Sequence, residues 1–150
     1  MELGKTAHCV YKIRYHFVAV VKYRKVLINK GIEEKIKETM KEIGERYEIK
    51  VDEIGFDGNH IHVLCGAKPS MSPLEVLSTI KSITARQVFR AYPKLKREEL
   101  WGGEFWSDGK YIGTVGESSG EEVIRKYIKE QGQTEKEVKS RLEQLNLFRL

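Results

Sequence analysis

From residue 11 to residue 21 the chain alternates without a break. Tyr11, Ile13, Tyr15, Phe17, Ala19 and Val21 fall on one face, with Lys12, Arg14 and His16 on the other. That is the pattern of a half-buried strand. The periodicity then changes: Ile32, Ile36, Met40, Ile43 and Tyr47 recur at three and four residues, which predicts an amphipathic helix over 31–47. Ile49, Val51 and Ile54 predict a second strand ending near Phe56, Asp57-Gly58-Asn59 a tight turn, and 60–67 a third strand. Ser72-Pro73-Leu74-Glu75 is a helix start, with Ser72 as N-cap, Pro73 at the first helical position and Glu75 closing a capping box. This second helix turns Leu77, Ile80, Thr84, Val88 and Ala91 inward and stops before Pro93. Beyond the turn-rich Trp101-Gly102-Gly103, short strands are expected near 104–107 and 110–115. A flexible loop over 116–120 leads to a second capping box, Ser119 with Glu122, opening a helix that runs to about Gln131 and is capped by Gly132.

The order strand, helix, strand, strand, helix, strand is the split βαβ pattern of a ferredoxin-like α+β fold: an antiparallel sheet with two helices on one face. The late helix is an addition to it. One domain over 1–132 accounts for these elements. Residues 133–150 form a charged tail, whose Val138, Leu142 and Leu145 have the spacing of a short docking helix. If Ile61 and Val63 bury against the helices, His60 and His62 lie on the open face of the sheet, together with Lys12, Arg14 and His16.

Charged residues make up 33% of the chain and the net charge is +5, which permits a nucleic-acid partner without establishing one. Lys12, Arg14, Lys22, Arg24 and Lys25 cluster in and after the first strand, and Lys81, Arg86, Arg90, Lys94, Lys96 and Arg97 on and after the second helix. Singly these read as solvated charges; as two clusters near a phosphate site, Arg14, His16, Lys22, Arg24, Lys81, Arg86 and Arg90 are candidate DNA contacts. The longest apolar run, Phe17 to Val21, is far too short to span a bilayer. Cys9 and Cys65 stand apart, which fits a reducing cytoplasm, and a DNA-binding protein there would associate with the nucleoid.

His60-Ile61-His62 sets two imidazoles on one pleated surface, half of a metal site or a pair of hydrogen-bonded histidines. Tyr127 and Gln131 share a face of the late helix, four residues apart. Gln131 can offer a neutral carbonyl oxygen as third ligand, and two imidazoles with one amide suit Mg²⁺ or Mn²⁺ better than structural zinc. A nearby cation would make the Tyr127 phenolate accessible as a nucleophile toward a phosphodiester. Val123, Ile124, Tyr127 and Ile128 also read as an apolar stripe, so spacing alone leaves Tyr127 open between packing and chemistry.

Several separated motifs then occur in order. They are Tyr15-His16-Phe17-Val18 before Lys22-Tyr23-Arg24, Asn59-His60-Ile61-His62-Val63-Leu64, Pro93-Lys94-Leu95 before Leu100-Trp101-Gly102-Gly103 and Phe105-Trp106-Ser107, and Gly113-Thr114-Val115-Gly116 before the tyrosine helix. Together, over about 11–131, they resemble the single-tyrosine HUH transposases of bacterial and archaeal insertion sequences and their REP-associated relatives. The resemblance implies a homodimer that cleaves and rejoins single-stranded DNA at element ends, recognising subterminal hairpins. It implies His60, His62 and Gln131 as metal ligands and Tyr127 as the nucleophile that becomes linked to a 5′-phosphate. It also implies that the tyrosine helix can complete the partner subunit's site. Asn59 departs from the pattern, standing where an acidic residue often precedes the first histidine. Other readings are a domesticated relative, a ferredoxin-like single-stranded nucleic-acid-binding module without chemistry, and a metal-dependent hydrolase that uses water.

Overall fold

The computed structural model describes residues 3–116. The expected tyrosine helix, with Tyr127 and Gln131, and the tail over 133–150 lie outside the described residues, as does the proposed boundary at 132. The described chain runs β1 (Gly4–Thr6), β2 (Cys9–Tyr11), β3 (Arg14–Val21), α1 (Lys30–Tyr47), β4 (Lys50–Asp57), β5 (His60–Gly66), α2 (Pro73–Ala91) and β6 (Trp106–Thr114). β4, β5, β3 and β6 form one sheet in that order, every neighbouring pair antiparallel. β3 and β4 thus run parallel with β5 between them, the ferredoxin-like split βαβ.

The two helices cover one face of this sheet. Ile32, Ile36, Met40 and Ile43 of α1 and Val76, Leu77, Ile80 and Val88 of α2 share a core with Tyr15, Phe17, Ala19 and Val21 of β3 and Ile61, Val63 and Cys65 of β5. Local chemistry fixes where each helix begins. The Asn29 side chain accepts from the Ile32 N–H, and Ser72 and Glu75 close the expected capping box ahead of Pro73. Trp106 Nε1 donates to Thr84 Oγ1 at 2.9 Å, tying β6 to α2 inside the core. Thr84→Val preserves shape but leaves that indole N–H buried without an acceptor, at a cost of about 1–3 kcal/mol. Thermal unfolding should shift down by about 5 °C, at roughly 2–4 °C per kcal/mol for a chain of this size; an unchanged midpoint would remove the bond from the stability account.

Four details differ from the sequence reading. The first strand is divided: Cys9–Tyr11 pairs with Gly4–Thr6 in a separate two-stranded ribbon, and only Arg14–Val21 enters the main sheet. Alternation cannot report a change of hydrogen-bonding partner, so the break at Lys12-Ile13 is silent in the pattern. The two short strands expected near 104–107 and 110–115 are one strand, Trp106–Thr114, whose pairing with β3 skips register between Ala19 and Val21. Ser107-Asp108-Gly109 forms the irregular part, and Lys81 Nζ satisfies the Ser107 carbonyl at 2.8 Å. Ala91 is exposed rather than inward, because the last turn of α2 has passed the edge of the core. Finally, the face opposite the helices is not open: Arg14, His16, Val18, Val20, His60, His62 and Leu64 are all buried. Among the described residues no helix is long and apolar enough to cross a membrane.

Candidate functional site

β3 and β5 are the two central strands, and their pairing brings three histidines together. Val20 lies opposite His60, Val18 opposite His62 and His16 opposite Leu64, so His16 sits diagonally from His62 on the same face. His16 Nε2 and His62 Nδ1 are 3.0 Å apart, with the rings nearly parallel at a centroid separation of 5.2 Å. His60 packs edge-on against His62 at 5.1 Å, and Tyr111 of β6 packs edge-on against His16 at 5.7 Å. His16 and His62 are each 1% exposed.

Burial sets the charge of this group. Desolvation lowers the His16 pKa to about 4. It also holds His62 well below its usual range, helped by the neighbouring His16 and His60. Both are therefore neutral imidazoles at pH 7, the form a metal ion requires. Burial raises the Tyr111 phenol pKa, which disfavours its ionisation.

The hydrogen bonds decide which nitrogens face outward from the cluster. Asn59 Oδ1 lies 2.7 Å from His60 Nδ1, so it accepts the Nδ1 proton and leaves Nε2 with the lone pair. The amide oxygen thereby performs the acceptor task of the acidic residue that the sequence lacks here. His62 Nε2 is buried with no hydrogen-bond partner among the described residues. An orphaned imidazole nitrogen beside a second, tautomer-fixed imidazole fits a divalent cation. No group of three His, Cys, Asp or Glu able to hold a metal occurs among the described residues. His16 spends Nε2 on His62, which leaves His60 and His62, packed edge-on, as the candidate ligands of this cluster among the described residues. The expected third ligand, Gln131, and the expected nucleophile, Tyr127, lie outside the described residues.

The seven candidate DNA contacts do not form one surface. Arg14 is buried and reaches across β5 to Asp52, Nε to Oδ2 2.9 Å. Gly66 makes this crossing possible, since a Cβ there would strike the Arg14 guanidinium, and the register shift at Asp52 turns that carboxylate toward it. His16 belongs to the imidazole cluster. Lys22 pairs with Glu104 at 2.8 Å, and Lys81 holds the Ser107 carbonyl. Arg24, Arg86 and Arg90 are exposed. Arg86 lines a cleft of about 280 Å³ between α1 and α2 with Arg46, Thr79 and Ser82, on the helix side of the sheet and away from the histidines. Two aromatics from the sequence motifs, Tyr23 and Trp101, are exposed, which periodicity did not indicate. Tyr23 sits in a turn where both it and Arg24 have positive φ, and Lys25 ties that turn to Glu99, two residues before the exposed Trp101. No periodic signal marks such positions.

Known proteins share this architecture and sequence. Residues 9–131 match the family model described as transposase IS200 like, a span that includes His60, His62, Tyr127 and Gln131. The ISDra2 transposase TnpA of Deinococcus radiodurans is 32% identical over 131 residues, 87% of this chain and 92% of that protein. The transposase of insertion sequence element IS200 from Salmonella typhimurium is 26% identical over 130 residues, 87% and 84% of the two chains. A crystal structure of a putative transposase from Deinococcus radiodurans R1 superposes with a TM-score of 0.69 at 27% identity, covering 85% of this chain and 97% of that one. A REP-associated tyrosine transposase bound to a REP hairpin shares the fold, with a TM-score of 0.59 at 11% identity over 83% of this chain and 70% of that one. Sequence over most of its length and fold agree, and the chain belongs to the IS200-like transposase family.

Proposed function

We propose that the protein cleaves and rejoins single-stranded DNA at insertion-sequence ends through a covalent 5′-phosphotyrosine, with Tyr127 as nucleophile and His60, His62 and Gln131 as ligands of Mg²⁺ or Mn²⁺. The observation that carries the reading is the buried His62 Nε2, without a hydrogen-bond partner among the described residues, beside a His60 whose tautomer Asn59 fixes. When bound, the ion supplies positive charge that withdraws electron density from the phosphodiester. The Tyr127 oxygen attacks phosphorus, its proton passing to solvent; the bond to the 3′ oxygen breaks, and that oxygen takes up a proton and leaves as a 3′-hydroxyl. The phosphotyrosine conserves the ester for rejoining, when a 3′-hydroxyl attacks and Tyr127 departs.

The chain acts on subterminal hairpins as a homodimer whose tyrosine helix can serve the partner's site, and it works in the cytoplasm on the nucleoid. The hairpin held by the similarly folded REP-associated transposase supports the first of these points. Arg24, Arg86 and Arg90 are the exposed candidates for phosphate contact. Incubation with hairpin-bearing single-stranded oligonucleotides and Mn²⁺ tests the reading. A protein–DNA adduct mapping to Tyr127 is expected. Hairpin binding with neither adduct nor cleavage would instead favour a non-catalytic binding module, and cleavage without adduct a hydrolase that uses water.

A further inference from the structure

The His16–His62 hydrogen bond has two possible directions, and only one is compatible with a metal ion at His62. A neutral imidazole carries one proton. If His16 Nε2–H donates, His62 accepts at Nδ1 and must carry its own proton on Nε2, which removes the lone pair a metal needs. If His62 Nδ1–H donates to His16 Nε2, the His62 Nε2 lone pair is available. We infer that His16 is a positioning residue for the metal site: by accepting from Nδ1 at 3.0 Å and stacking on the ring, it holds His62 in the ligating tautomer and orientation. This inference rests on the proposed metal-ligand role of His62.

The arrangement parallels the other imidazole but differs in kind. Asn59 Oδ1 can only accept, so the His60 tautomer is set before any ion arrives. His16 can reverse, so metal binding at His62 selects one direction of a bond that exists in both states. The selected direction puts the His16 proton on Nδ1, a buried nitrogen with no hydrogen-bond partner among the described residues. That unsatisfied N–H opposes the ligating tautomer and weakens the site relative to one backed by a carboxylate or carbonyl. An ion held this way binds reversibly. The cluster therefore combines one fixed ligand and one selectable ligand on adjacent turns of the pleat. In this arrangement His16 is not a ligand itself: Nε2 accepts from His62 and Nδ1 carries its proton.

The test uses the full-length protein and Mn²⁺ alone, with affinity measured by electron paramagnetic resonance of the free ion. His16→Phe keeps a flat ring in the stack but removes the acceptor; affinity should fall about 10- to 100-fold, the usual cost of losing such a partner. His16→Gln, whose side-chain oxygen can accept, should recover most of the loss, and circular dichroism should show both variants folded. Nitrogen-15 spectra should place the His62 proton on Nδ1 when Mg²⁺ is added to the wild type. A folded His16→Phe that binds Mn²⁺ as tightly as wild type overturns the positioning role. A wild type whose Mn²⁺ binding is unaffected by His62→Ala overturns the ligand role and this inference with it. If His16→Phe is unfolded, His16→Gln decides alone: Mn²⁺ affinity within a few fold of wild type supports the acceptor role, and a folded His16→Gln that loses affinity as fully as His62→Ala overturns it.

Discussion

Tyr127→Phe should abolish adduct formation and strand cleavage, lowering the rate by at least about 10³-fold, while hairpin affinity stays within about twofold of wild type. The change deletes one oxygen. It removes the atom that would bond to phosphorus, whereas the aromatic ring and the chain's charge are kept. Gel-shift assays and denaturing gels on one hairpin oligonucleotide with Mn²⁺ read the two quantities separately. The structure supplies the control. Tyr111 is the tyrosine whose ring borders the imidazole cluster among the described residues, edge-on to His16. Burial raises its pKa, which makes it a poorer nucleophile than an ordinary phenol. Tyr111→Phe should therefore retain adduct formation within about threefold of wild type. Cleavage that survives Tyr127→Phe and disappears in Tyr111→Phe would move the nucleophile to β6 and sink the assignment.

The fold was legible where one local signal sufficed. The Ser72-Pro73-Glu75 box set the start of α2, and the 3.6-residue spacing of Ile32, Ile36, Met40 and Ile43 gave α1 its buried face. Strand faces followed from alternation, which is why His60 and His62 could be placed on the side away from the helices. What alternation does not encode is pairing. The division of the first strand and the register skip opposite Val20 both depend on which backbone lies alongside. The site was half legible for the same reason. His60 and His62 announce themselves by spacing, but His16 is 46 residues from His62 in sequence and looks like one more member of a basic stripe. Only the β3–β5 register shows it bonded to His62. Arg14 is similar: a cation at a strand start reads as a phosphate contact until Asp52 and Gly66 are brought beside it.

The buried histidines also make a prediction about stability in the metal-free protein. His16 and His62 both titrate lower folded than unfolded, His16 falling from 6.5 to about 4 and His62 well below its ordinary value. Between those limits the unfolded chain binds protons that the folded chain refuses, so stability falls as the pH drops through 6.5 and is recovered as it rises. From about pH 7.5 to about pH 5.5 both imidazoles should therefore lower stability, His16 alone by on the order of 1 kcal/mol. That window stays above the range in which ordinary carboxylates titrate. Urea unfolding in the presence of a chelator should show the midpoint falling across this range with little change in slope. His16→Gln cannot take up a proton at this position and should lose about half of the pH dependence. A divalent ion should reinforce it, since only the neutral His62 can act as a ligand and the added stabilisation must also vanish toward acid. If the urea midpoint of the metal-free protein is the same at both pH values, the two imidazoles are not held neutral by burial, and the electrostatic basis for a ligand at His62 goes with them.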